Sequence, residues 1–176
     1  MFMIEIEVPN GVQVDMKGNV ITVKGPLGTN ARKWNDALLH LEKSGTKVKI
    51  TPIGKGNLQR SSEQTERAFA KEVSNDINGV QKHFEKQMKI LFAHFPMTVE
   101  AKGDTVIIKN IIGERGPRTA KIAGTTKVEV KGQNIRVYGT SLDDVAQTAA
   151  NMRKACKIRN KDGRIFQDGI YFALEA

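Results

Sequence analysis

MIEIEVPNGVQVDMKGNVITVKGPLG at residues 3–28 and MKILFAHFPMTVEAKGDTVIIKNIIG at residues 88–113 are two versions of one pattern. At a constant offset of 85, Met3 falls on Met88, Val14 on Val99, Gly18 on Gly103, Val23 on Ile108, Lys24 on Lys109 and Gly28 on Gly113. A period this long exceeds a solenoid unit and approaches the size of a small domain. The 176-residue chain is therefore expected to hold two tandem copies of one domain, over residues 1–80 and 81–176, each with a modest core. Whatever the second copy carries and the first lacks is then a guide to function.

Working outward, each copy reads as strands followed by one helix. Strands are expected in the first copy at 2–8, 19–24, 29–34, 37–42 and 46–52, punctuated by Gly18-Asn19, Gly25-Pro26 and Ser44-Gly45. A helix is expected to open at Ser61 with a capping box to Gln64, to bury Phe69, Val73 and Ile77, and to stop at Asn78-Gly79. The second copy repeats the order, with strands at 84–95, 105–111, 118–122, 126–131 and 135–138. Its helix starts at Ser141 with Asp144 and turns Leu142, Val145, Ala149, Met152 and Cys156 to one apolar face. Residues 158–171 have no counterpart in the first copy and contain the turn-like pairs Asp162-Gly163 and Asp168-Gly169. The expected fold class is α+β: two tandem copies of a small domain, each an antiparallel-rich sheet packed against one helix.

The net charge of +9 points to a polyanionic partner, most often nucleic acid. It is unevenly spread. Residues 1–80 carry 11 Lys and Arg against 9 Asp and Glu, while residues 81–176 carry 17 against 10. Copies of one scaffold do not need different charge to be stable, so the asymmetry reads as functional. The densest stretch runs from Arg153 to Arg164, where Arg153, Lys154, Lys157, Arg159, Lys161 and Arg164 face only Asp162. A second basic group, Arg115, Arg118 and Lys121, sits on and beside the Gly116-Pro117 turn, from which long cationic side chains can reach phosphates without disturbing a core. Aromatic residues make up 6% of the chain, which argues against base-stacking platforms as the main mode of binding.

Catalytic chemistry is not visible. His40, His83 and His94 stand at no metal-ligand spacing from one another or from Cys156, and neither a phosphate-binding loop nor a dinucleotide fingerprint occurs. Gly25-Pro-Leu-Gly28 and Gly113-Glu-Arg-Gly116 follow strands and read as hairpin turns rather than as the RNA-clamping loop of a helical module. Cys156 and Trp34 read as core residues. No catalytic residue, metal, cofactor, small-molecule substrate or membrane partner is expected. The alternating opening MFMIEIEV reads as a strand, not a signal peptide, and with the single Cys156 it implies a reducing, cytoplasmic setting.

The doubled domain, the HFPM string at 94–97, Gly113-Glu114 with its basic turn, and above all the run Lys161-Asp-Gly-Arg-Ile-Phe-Gln-Asp-Gly-Ile-Tyr171 resemble the large-subunit ribosomal protein L-six family in its archaeal form. The resemblance spans nearly the whole chain. It implies a structural constituent of the large ribosomal subunit, not an enzyme. Its partners would be large-subunit rRNA near the factor-binding and sarcin–ricin region, and neighbouring ribosomal proteins. It places rRNA contacts on Arg115, Arg118, Lys121, Arg153, Lys157, Arg159, Lys161 and Arg164. Phe166 and Tyr171 are expected to pack the closing segment down and Asp168-Gly169 to make a turn. The chain ends at Ala176, short of the basic tail of many relatives, so contacts through such a tail are not expected. Without the resemblance, a free-standing RNA- or DNA-binding regulator and a protein–protein adaptor remain alternative readings.

Overall fold

A computed structural model describes residues 4–53, 57–93, 95–159 and 161–173, without the side chains of 57 and 58. Met3, the GKGN turn at 54–57 apart from the backbone of Asn57, and His94 of the HFPM string lie outside the described residues. The chain divides into two compact units, Met1–His83 and Phe84–Ala176.

The first unit holds β1 (Ile4–Glu7), β2 (Gln13–Lys17), β3 (Val20–Gly25), β4 (Gly28–Lys33), β5 (Leu39–Ser44), β6 (Lys47–Pro52) and helix α1 (Asn57–Gln81). Its strands form two antiparallel three-stranded sheets, β1-β6-β5 and β2-β3-β4. The second unit repeats the order with β7 (Phe84–Leu91), β8 (Thr98–Lys102), β9 (Thr105–Lys109), β10 (Arg118–Lys121), β11 (Lys127–Lys131), β12 (Asn134–Gly139) and α2 (Leu142–Ala155), then adds β13 (Gly169–Phe172). Its sheets are β10-β9-β8 and β11-β12-β7-β13. The α+β reading with one helix per copy holds, with one refinement: each helix covers two small sheets rather than one.

Local rules explain the repeat. Gly18 and Gly103 close the β2–β3 and β8–β9 hairpins at φ +57° and +55°, a backbone region that favours glycine. Val14 pairs with Val23 and Val99 with Ile108, and all four are buried. At the ends of β1 and β7 the amide nitrogens of Val8 and Ile90 donate to the carbonyls of Thr46 and Gln133, each at 2.8 Å. The constant offset does not survive everywhere. Ile6 pairs with Val48 and Met88 with the matching Ile135, so Met88 takes the place of Ile6 and not of Met3. Likewise Asn30 faces Val23 as Arg118 faces Ile108, which sets Gly28 against Gly116 rather than Gly113. The second copy has gained three residues in each of two loops, β7–β8 and β9–β10.

The helices depart from expectation in one case. Ser141 caps α2, its side chain accepting from the Asp144 amide at 3.3 Å. Ser61 caps nothing. It lies inside α1, and its carbonyl accepts from the Thr65 hydroxyl at 2.8 Å. Asn78-Gly79 does not end α1 either, because the buried stripe Phe69, Val73, Ile77 continues to Val80, and that burial outweighs the cost of about 1 kcal/mol for a helical glycine. Strands β2, β8 and β13 were not expected. Asp168-Gly169 is not a turn, since Gly169 opens β13 opposite Leu91 and Asp168 is buried. Trp34 is half-buried and packs edge-on against Phe69 at 6.5 Å.

Two expectations follow. A Cβ on Gly25 would lie 2.6 Å from Cγ2 and 2.9 Å from the carbonyl oxygen of Val80, which also accepts from Leu27. Gly25→Ala should therefore destabilise the first unit by about 1–3 kcal/mol, read as a lower midpoint in thermal unfolding. Cys156 is buried, and desolvation pushes its thiol from the ordinary value near 9 up to about 11. The folded protein then holds this proton more tightly than the unfolded one. Stability should be unaffected below pH 9 and fall as pH rises through about 11, and Cys156→Ser should flatten that fall in unfolding curves measured across the window.

Candidate nucleic-acid interface

The parts of the second unit that the first lacks are bonded to one another. In the longer β7–β8 loop the amide of Ala93 donates to Asp168 Oδ1 at 2.6 Å, tying that loop to the added C-terminal segment. The longer β9–β10 loop meets the same loop, as Asn110 Nδ2 donates to the carbonyl of Pro96 at 2.9 Å and the Phe95 ring lies against Gly113. Asn110 and Ile112 adopt φ of +61° and +47° around a 3₁₀ turn at Ile111–Gly113. For a β-branched residue this backbone costs on the order of 1–3 kcal/mol, and the anchoring of Ile111, 1% exposed, holds it in place.

Arg118 joins this loop to the helix. Its Nε donates to Glu114 Oε2 at 2.8 Å and its Nη2 to Glu114 Oε1, while Nη1 donates to the carbonyls of Ala155 at 2.9 Å and Lys157 at 3.0 Å. The last carbonyls of a helix have no partner within it, so a cation there satisfies both hydrogen bonding and the helix dipole. The hydrogen bond from Arg118 holds the Glu114 carboxyl below the usual carboxylate range, and the same bond raises Arg118 above its ordinary value. Arg118 was expected to reach phosphate; the structure commits most of its donors inside the unit.

Four of the seven remaining cations line two grooves. Lys121, on β10, and Arg159 line one together with Lys154, and Asn151 of α2 braces it by donating to the Lys121 carbonyl at 2.9 Å. Arg153 and Lys157 line the other, again with Lys154. Lys161 lies over the Phe166 ring at 4.9 Å, and Arg164 sits on the tight turn where its amide donates to Asp162 Oδ1 at 2.9 Å. Arg115 is exposed on the inserted turn and lines neither groove. Tyr171 packs the segment down as expected, its hydroxyl donating to the Gln167 carbonyl at 3.0 Å. Lys154, left out of the sequence-derived set, is the residue common to both grooves; its place beside Arg153 at the start of the basic run was the signal.

Both units pair some of their cations with carboxylates; in the second, Lys102 and Lys109 meet Glu100, Arg118 meets Glu114 and Arg136 meets Glu85. In the first, Lys24 meets Asp15, Lys47 meets Glu5 and Glu7, Lys49 meets Glu5, and Arg32 meets Glu72 and Asp76. Among the described residues, Arg115, Lys121, Arg153, Lys154, Lys157, Arg159, Lys161 and Arg164 have no carboxylate within ion-pair distance. No group of three or more His, Cys, Asp or Glu able to hold a metal occurs among those residues, and no helix is long and apolar enough to cross a membrane.

Arg118→Ala should leave two carbonyls and Glu114 without their partner. The expected outcome is a loss of about 1–3 kcal/mol in chemical unfolding, with faster amide hydrogen exchange from Lys157 to Asp168 and no change in the first unit.

The chain was compared with known proteins. Residues 95–169 match the family model described as Ribosomal protein L6, a stretch that takes in both the inserted turn and the basic segment. The large ribosomal subunit protein uL6 of Methanobrevibacter smithii is 44% identical over 95% of this chain and 92% of its own length. Those of Methanocella arvoryzae and Methanosarcina mazei are 42% and 43% identical over 98% and 97% of this chain, each across 96% of its own length. With likeness of this depth along nearly its full length, the chain belongs to the ribosomal protein L6 family.

Proposed function

We propose that this protein is a structural constituent of the large ribosomal subunit in the cytoplasm, and that its second repeat, residues 81–176, holds large-subunit rRNA near the factor-binding and sarcin–ricin region. It is not an enzyme. The observation that carries the reading is the set of eight cations without an ion pair on the inserted turn, β10, the end of α2 and the segment after it. Lys and Arg near phosphates release counterions and give affinity independent of sequence, while the deep groove of an RNA helix leaves its shape and backbone to be read. Arg115, Lys121, Lys157, Arg159, Lys161 and Arg164 contact phosphates, and Arg153 binds the same RNA. Arg118 serves them by fixing the turn and the helix end. The first repeat, which carries the smaller excess of positive charge, rests against neighbouring ribosomal proteins.

Two measurements test this. The full chain should stay with large subunits sedimented through high salt, where a loosely held regulator washes off. Arg159→Ala and Arg164→Ala, singly and together, should weaken binding equally for the cognate rRNA helix and a shape-matched helix of other sequence. Each should make the slope of log K against log salt shallower by about one unit. Loss confined to the cognate sequence with an unchanged slope would replace phosphate contact by base readout.

A further inference from the structure

The groove lined by Arg153 and Lys157 is chemically unlike its neighbour. One wall is the end of α2 and the residues just after it, with Arg153, Lys154 and Lys157; the other is the added segment, with Gly163, Phe166 and Phe172. Its floor is apolar, closed by Cys156 and Ile170 at 3% and 1% exposure. Both aromatic rings carry a cation. The Arg153 guanidinium lies over Phe172 at 5.7 Å from the ring centre, and Lys161 Nζ over Phe166 at 4.9 Å. Phe172 nevertheless remains 43% exposed, an unusual state for a large ring on an edge strand beside a helix. The groove encloses about 580 Å³, within the roughly 300–1,000 Å³ of small-ligand sites. That is room for a single flat ring system with its sugar, and too little for the edge of a duplex.

We propose that this groove takes one unstacked nucleotide of an RNA strand, its base against the Arg153–Phe172 pair and its flanking phosphates toward Lys154 and Lys157. The inference rests on the RNA-binding reading above and names the site within it. A guanidinium braced on an aromatic ring is a planar, cationic surface that matches a base on its face, and stacking of this kind tolerates any base. Among the described residues the rim is cationic and holds no acidic side chain except Asp168, which is buried and turned to the Ala93 amide, so the complement is an anionic strand. Lys154 also lines the adjacent groove with Lys121 and Arg159, which gives the backbone a continuous path out of the slot. The neighbouring groove offers no ring and accepts phosphates alone.

The test uses the full-length protein, isotope-labelled and followed by NMR, with three probes: hexa-adenylate RNA, an abasic ribose-phosphate strand of the same length, and AMP. Hexa-adenylate should shift the Arg153 Nε–H and the Phe172 ring signals, whereas the abasic strand should shift Lys121 and Arg159 and leave Phe172 in place. Arg153→Lys keeps the charge and removes the plane. It should weaken hexa-adenylate by about fivefold or more, the lower end of what base stacking contributes, with the abasic affinity and the salt slope unchanged. The base slot is overturned, with the phosphate reading intact, if the two strands bind alike and shift Phe172 alike, or if Arg153→Lys stays within about twofold on both. AMP saturating the Phe172 shift as tightly as the hexamer overturns it too, by making the groove a mononucleotide site. If neither strand binds, the slot and the RNA-binding reading fall together.

Discussion

The carbonyl end of helix α2 is the constraint around which the second unit is arranged. A helix that ends inside a protein must find donors for its last carbonyls, and here one guanidinium supplies a donor to Ala155, the last residue of α2, and to Lys157 just beyond it. Because Arg118 sits on β10 and also holds Glu114, the helix end, the inserted turn and the first residues of the added segment are fixed relative to one another. The chain then runs on to Asp168, whose carboxylate takes the Ala93 amide, and into β13 against β7. One ion pair and one buried carboxylate thus convert three separate additions to a duplicated scaffold into a single surface. Among the described residues, the cations that line the two grooves, Lys121, Arg153, Lys154, Lys157 and Arg159, have no carboxylate within ion-pair distance.

How far the sequence announced this depends on which physical rule was at stake. Hairpin glycines are local, so the turns at Gly18 and Gly103 were readable at sight, whereas strands β2 and β8, which lead into them, were not. The Ser141 cap was readable for the same reason. Ser61 misled because a capping pattern also occurs by chance within a helix, and α1 is held by a long buried stripe that no local stop signal could break. The register slips at Met88 and Gly116 were hidden because an ungapped offset cannot show two insertions that a third, shorter connection partly cancels.

The candidate site divides along the same line. Lys121, Arg153, Lys157 and Arg159 were legible from charge density alone, and the structure gathers them into two grooves. What charge density cannot express is a tertiary partner. Nothing near Arg118 in sequence reveals that its Nη1 meets carbonyls almost forty residues on, at Ala155 and Lys157. Nor could the spacing of Phe172 from Arg153 suggest that strand β13 would bring the ring beneath the guanidinium. Asp168 looked like turn chemistry because Asp-Gly usually is; its burial follows from a contact with Ala93, far away in sequence.

The matching registers of β6 with β1 and β12 with β7 have a consequence for synthesis. Two sheets built on the same pairing rules within one chain invite strand exchange, in which β1 would take the place of β7 beside β12. Vectorial growth from the ribosome works against this. The partners of β1 are all made by Pro52 and its covering helix by Gln81, so the first unit can close before β7 emerges. The second unit has no such early closure, because β7 waits for β12 on one side and for β13, made after α2 and the long basic segment, on the other. Its last edge is sealed by the strand that carries Phe172, so the half of the molecule that is slowest to become whole is the half that presents its positive charge.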